Sequence, residues 1–190
     1  YVPAAPAADQ DPITVNGAAI PIGSLSTSGP SYSNSYNAIV SIDHNLSDSD
    51  QIRGRYISNN VSQIDINANL PVFYQPQPTR NKMVTLSEFH NFSPTMQNEF
   101  RASFSRNYNA IGAGDITFPG LDVFPNITID DLNSIQIGPD PNTPTGSIQN
   151  LLQGQDNLIK TAGRHTIKVG YSFTDVILTN YCIQRVRGDY

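Results

Sequence analysis

From Tyr36 onward, apolar and polar residues alternate along the chain. Tyr36, Ala38, Val40, Ile42 and Leu46 are interleaved with Asn37, Ser41, Asp43 and Asn45, with Ile39 and His44 as the exceptions. A period of two over this length predicts a strand with one apolar and one polar face. Ser47-Asp48-Ser49-Asp50 follows as a compact turn, its short side chains suited to bonding local backbone. A second strand runs through 51–58, where Ile52, Gly54 and Tyr56 alternate with Arg53 and Arg55. The same unit returns twice. A strand over about 80–92 has Val84 and Leu86 opposite Thr85 and Ser87, and Ser93-Pro94-Thr95 forms its turn. The next strand sets Met96, Asn98, Phe100, Ala102, Phe104 and Tyr108 against Gln97, Glu99, Arg101, Ser103, Ser105 and Asn107. A fifth strand near 151–160 turns at Thr161-Ala162-Gly163-Arg164 into a sixth, where Ile167, Val169, Tyr171 and Phe173 alternate with Lys168, Gly170, Ser172 and Thr174.

Between these hairpins lie long polar, Pro-rich loops, predicted over 59–78 and 109–150; a third loop begins near Thr179, and Arg187–Tyr190 is positioned to open a seventh strand. Residues 1–34 form an extended Pro/Ala/Ser-rich arm. Pro3, Pro6, Pro12, Pro21 and Pro30 bar a helix or central strand there, leaving short β pieces around Ile13–Val15 and Ala19–Ile22. The fold expected is all-β: an antiparallel meander of about six long strands in three hairpins over 35–190. Short turns on one side and long loops on the other are the asymmetry of outer-membrane barrels. Strands of about 10 to 13 residues suit a tilted bilayer crossing, whereas strands of soluble sheets are nearer five or six. An open self-associating sheet is the form expected if the chain is complete, because six strands do not close this barrel and leave two edges and an apolar face uncovered.

Composition sharpens this picture. Charged residues make up only 14% of the chain, against roughly 25% in soluble proteins; Asn, Ser, Thr and Gln take their place. The net charge of −5 argues against nucleic acid as a partner. Arg53, Arg55, Arg80, Lys82, Arg101 and Arg106 are scattered in sequence, with no basic run. Cys182 is the single cysteine, so there is no internal disulfide or Cys-rich metal site. No apolar stretch approaches the roughly 20 residues of a membrane helix, but barrel strands alternate and escape that test. The chain opens at Tyr1 without a signal peptide, as a processed or excised segment would.

Three stretches carry a family resemblance. They are Ile42-Asp43-His44-Asn45-Leu46-Ser47-Asp48-Ser49-Asp50 through Tyr56, Phe92-Ser93-Pro94-Thr95 with Asn98-Glu99-Phe100-Arg101, and Gly163-Arg164-His165-Thr166-Ile167-Lys168-Val169-Gly170. Each coincides with a predicted tight turn. In order and spacing they resemble TonB-dependent outer-membrane receptors, in the branch with a carboxypeptidase-regulatory-like N-terminal domain. Asp156-Asn157-Leu158 and Arg187-Gly188 also fit, and the resemblance covers about 35–190. It implies a barrel commonly of about 22 strands, with a plug and a TonB-contacting segment that these residues do not include.

Candidate chemistry is sparse. His44, His90 and His165 lie far apart at strand ends, and a metal site needs them to converge; polar residues at the interface or lumen account for them. Asp48, Asp50 and Asp130-Asp131 resemble calcium ligands in type, without EF-hand spacing or its glycine. Turn chemistry explains the first pair and a solvated loop the second. Asn45, Asn60, Asn91 and Asn126 begin Asn-X-Ser/Thr sequons, as a chain this rich in those residues produces by chance. Arg187-Gly188-Asp189 spells an integrin-type tripeptide, but the resemblance already explains Arg-Gly as a strand start. No Ser-His-Asp set, phosphate loop or carboxylate pair stands out, so the chain is expected to be no enzyme and to need no cofactor. Tyr36, Tyr56, Phe100, Phe104, Tyr108, Tyr171 and Phe173 fall on apolar faces, which in a barrel meet lipid, with Tyr at the headgroups.

These readings predict barrel wall and extracellular loops of an outer-membrane importer, with membrane lipid, a plug and further strands as partners and TonB reached only through regions beyond this chain. Oligosaccharide, peptide and metal chelate all remain open as its ligand. The alternative is an extracellular fibre or surface-layer subunit that pairs with copies of itself as a homo-oligomer or filament, its Asn- and Gln-bearing strands suited to stacking.

Overall fold

The computed structural model describes residues 10–114, 116–117, 119–120, 123–130 and 135–185. Its main body is one six-stranded antiparallel sheet. Strands β3 (Ser33–Asn45), β4 (Asp50–Asp65), β5 (Gln75–Ser93), β6 (Met96–Ile111), β9 (Thr145–Ala162) and β10 (His165–Cys182) lie side by side in chain order, with β3 and β10 at the edges. Two small hairpins complete it: β1 (Ile13–Val15) with β2 (Ala18–Ile20), and β7 (Ile127–Ile129) with β8 (Ile135–Ile137). The first is closed by Asn16 and Gly17, both at positive φ (50° and 80°), as a two-residue hairpin turn requires.

The three hairpins fall at the predicted turns, but every strand outruns its predicted length, reaching 13 to 19 residues. The expected loop 59–78 contracts to 66–74, with a 3₁₀ turn at Pro71–Phe73. Asn59–Asp65 pairs with Gln75–Asn81 even though neither stretch alternates in hydrophobicity. Pro76 and Pro78, read as loop residues, stand inside β5. The bond from Asn91 N to Ser49 O shows that odd residues of β5 turn their N–H toward β4. Even residues therefore face β6, whose pairing with β5 begins only at Thr79. A proline nitrogen there forfeits no ladder bond.

The second long loop also shortens, because β6 runs to Ile111 and β9 starts at Thr145; it carries β7 and β8. The sheet itself has no apolar core. Buried apolar side chains among the described residues are Ala68, Phe73, Ala110 and Ile111, all at the long-loop end. There the Phe73 and Phe124 rings meet at 4.9 Å. The N-terminal arm crosses the same end; a Cβ at Gly29 would stand 2.7–2.8 Å from Pro71 and Tyr74 side chains.

Candidate functional site

Register turns the alternation of each strand into two continuous faces. Val40, Tyr56, Val84, Phe104 and Leu152 form one cross-strand row, and Ile42, Gly54, Leu86, Ala102, Gly154 and Phe173 the next. Their large side chains remain open to the outside: Val40 is 54% exposed, Val84 50% and Leu86 48%. Along β5 the residues of this face from Arg80 to Glu88 are exposed, while those of the opposite face from Thr79 to Phe89 are half-buried or buried. The sheet thus presents an outer apolar face and a sheltered polar one.

The apolar belt runs obliquely. On β3 it spans Tyr36–Ile42, centred on Ile39, and register carries that level through Ile57, Met83, Ser105 and Leu151 to Val176 on β10. On β10 the belt spans Ile167–Phe173 and is ended by Asp175, so its centre, Gly170, lies six residues nearer the turn than Val176. Six residues are about 20 Å along a strand, and five interstrand steps about 24 Å across. The slope is about 40°, which matches the 35–45° at which barrel strands tilt. A level apolar band on a tilted sheet produces this drift; a soluble core has no reason to.

The polar face is laced by side-chain bonds. Asn37, Asn59, Asn81 and Asn107 share one row; Asn59 Nδ2 donates to Asn37 Oδ1 at 2.5 Å and Asn81 Nδ2 to Asn59 Oδ1 at 3.2 Å. Ile39, Ile57, Met83, Leu151 and Val176 form an apolar row beside it, which explains why Ile39 broke the sequence pattern. Toward the turns, Arg53, Arg55 and Arg101 line an open hollow of about 250 Å³ with Phe89 at its end. Arg53 pairs with Asp43 at 2.5 Å and lies 5.6 Å over the Phe89 ring, Arg55 bonds Ser41 Oγ at 3.1 Å, and Arg101 bonds Glu99 at 2.7 Å.

The turns are held by their own polar residues. Leu46 N donates to Asp50 O at 2.9 Å and Ser47 Oγ to Asp50 Oδ2 at 2.7 Å. The other Asp50 oxygen meets His90 Nδ1 from the neighbouring hairpin, and the His90 ring stands edge-on to Phe92.

The chain matches a family model described as an outer membrane beta barrel domain, over residues 3–190. It belongs to that family. No curated protein and no solved structure matches it. In an outer-membrane barrel the apolar belt faces lipid and the polar face lines the interior, so the tilt, the belt and the bonded polar rows are those of barrel wall. The six strands form an open sheet and do not close into a barrel.

The residues singled out from sequence disperse over this wall. His44, His90 and His165 stand on three different strands, β3, β5 and β10. Asp48 belongs to the first turn and Asp50 to its bonded network, while Asp131 and the Arg187-Gly188-Asp189 tripeptide, with the suggested seventh strand, lie outside the described residues. Of the sequon asparagines, Asn45, Asn60 and Asn91 sit on strands, and Asn126 is buried, donating to Pro139 O at 2.9 Å. The basic residues scattered in sequence are gathered by register: Arg53, Arg55 and Arg101 on the polar face, Arg80, Lys82 and Arg106 on the outer one. Their phase within the alternation is the signal that separates the two sets.

Proposed function

We propose that this outer-membrane barrel wall belongs to a TonB-dependent importer and works without enzymatic chemistry of its own. The single observation that supports this most is positional. The three family-like stretches, 42–56, 92–101 and 163–170, fall on the β3–β4, β5–β6 and β9–β10 turns. In this reading the polar face, with its Asn row and arginine hollow, faces a plug, and loops 66–74 and 112–144 stand outside to capture ligand. Strands that continue past the belt on the loop side extend the wall outward; β4 runs nine residues beyond Tyr56 to Asp65.

The test uses the full-length protein in outer-membrane extracts, probed with the purified periplasmic domain of TonB. Saturable capture, abolished by deleting the segment before the barrel, is expected; no capture in the presence or absence of candidate ligands rejects the importer. The second reading, self-association as an extracellular fibre or surface-layer subunit, draws on the uncovered edges β3 and β10. Ordered filaments of the full-length protein without detergent are its expected mark.

A further inference from the structure

We propose that the outer wall carries a binding site for a phosphorylated lipid headgroup, formed by Arg80, Lys82 and Arg106 with Tyr108 at the long-loop rim of the belt. These four residues line a hollow of about 220 Å³ on the lipid-facing side. They converge through register: Lys82 stands directly opposite Arg106, and Arg80 opposite Tyr108, on adjacent strands. Arg80, Lys82 and Arg106 are exposed.

Like charges directly across a strand pair destabilise it unless something neutralises them. The ion pairs Arg53–Asp43, Arg101–Glu99 and His90–Asp50 lie elsewhere. Arg106 Nη1 donates to the neutral Asn150 Oδ1 at 3.0 Å. Among the described residues, the acidic side chains of the outer face stand away from this rim: Asp50 and Glu88 lie on the turn side of the belt, Asp156 lies within it opposite Phe100 and Tyr171, and Asp175 stands on the edge strand opposite Leu152. Among the described residues, three cations therefore share one small surface with no carboxylate between them.

Height selects the occupant. Belt centres on β5 and β6 fall near Thr85 and Ala102, so Lys82, Arg106 and Arg80 lie three, four and five residues toward the loops. At a slope of about 40° this is about 8–13 Å above the belt centre, where a band about 25 Å tall meets the headgroups. Cations on long stems reach that level by lying along apolar wall, and a tyrosine ring is at home there. Arginine forks take phosphate oxygens in pairs, and lysine adds a point charge. The long loops mark the external side, so the lipid is one of the outer leaflet, whose phosphates would bridge β5 and β6. This inference rests on membership of the barrel family and is independent of the importer reading.

Native mass spectrometry of the full-length protein, with diphosphorylated lipid A as probe, tests the site. The wild type is expected to retain this lipid at least about tenfold better than its enzymatically dephosphorylated form, each rim cation contributing several-fold. The combined R80Q, K82Q and R106Q variant should lose a similar factor. A control with equal charge removed at the turn side, K160Q, R164Q and K168Q, should bind as the wild type does. Inorganic phosphate at equal concentration should not displace the lipid; full displacement would make this a free-phosphate site and overturn the proposal. Equal retention of the two lipid forms would also overturn it, and that comparison needs no variant to fold. Equal losses in the rim and turn-side variants would do so too.

Discussion

Asp65 is 8% exposed at the end of β4, where burial first and the negative charge of Asp140 second push its carboxyl above the ordinary 3.8; the Asn67 backbone N–H pulls the other way. It lies beyond the belt, in the loop cluster. Because its folded pKa is raised, folding binds the proton more tightly than the unfolded chain does. The resulting stabilisation is complete below the unfolded value and is lost as pH rises through the folded one. Asp65→Asn, which keeps an acceptor for Asn67, is expected to raise amide protection across 66–74 and 137–144 at pH 7. That gain should vanish below the ordinary carboxylate range; wild-type loops that loosen on acidification from pH 7 would contradict it. Arg53 and Asp43, 42% and 50% exposed, illustrate the opposite case. Arg53→Ala should cost less than about 1 kcal/mol in a denaturant titration, since water screens such pairs.

At the scale of the strand, β5 separates its two faces most sharply. Its even residues meet lipid and its odd ones the interior, so equal chemistry has unequal cost one residue apart. Leu86→Arg should destabilise folding into vesicles by about 2–4 kcal/mol, and Thr85→Arg by far less; similar costs for both would refute the assignment of faces. The prolines give a second contrast. Thr79 turns its N–H toward β4, so Thr79→Pro removes a ladder bond and should cost about 1–3 kcal/mol, whereas Pro78→Thr should be nearly neutral. The alternation of 36–56 and 96–108 made the strands legible. The extensions did not announce themselves, because Asn59–Asp65 and Gln75–Thr79 are polar on both faces and are held by cross-strand side-chain bonds such as Gln63 Nε2 to Gln77 Oε1 at 2.7 Å.

For the whole molecule, the consequence of an open wall is dependence on neighbours. β3 and β10 are edge strands of 13 and 18 residues, and the outer face leaves Tyr36, Val169 and Tyr171 between 63% and 72% exposed. The 190-residue chain produced alone is expected to require detergent or to associate. A monodisperse monomer in plain buffer, measured by light scattering, would sink the barrel-wall assignment. In a closed barrel, edges of this kind are paired with neighbouring strands and the apolar belt is covered by lipid.

The sequence by itself determined the class of fold, the three hairpins and their tight turns, because period-two hydrophobicity and short polar turn residues act over a few neighbours. It also separated outward from inward residues on the strands whose alternation is clean. Only the tertiary structure decided how the strands align, and alignment is a long-range property: the oblique belt, the Asn row, the arginine hollow and the basic rim each need residues far apart in the chain to share a level. Nothing in the linear chain brings Arg80 and Tyr108 together. Placed opposite each other by the β5–β6 register, they become one surface with a charge that calls for a partner.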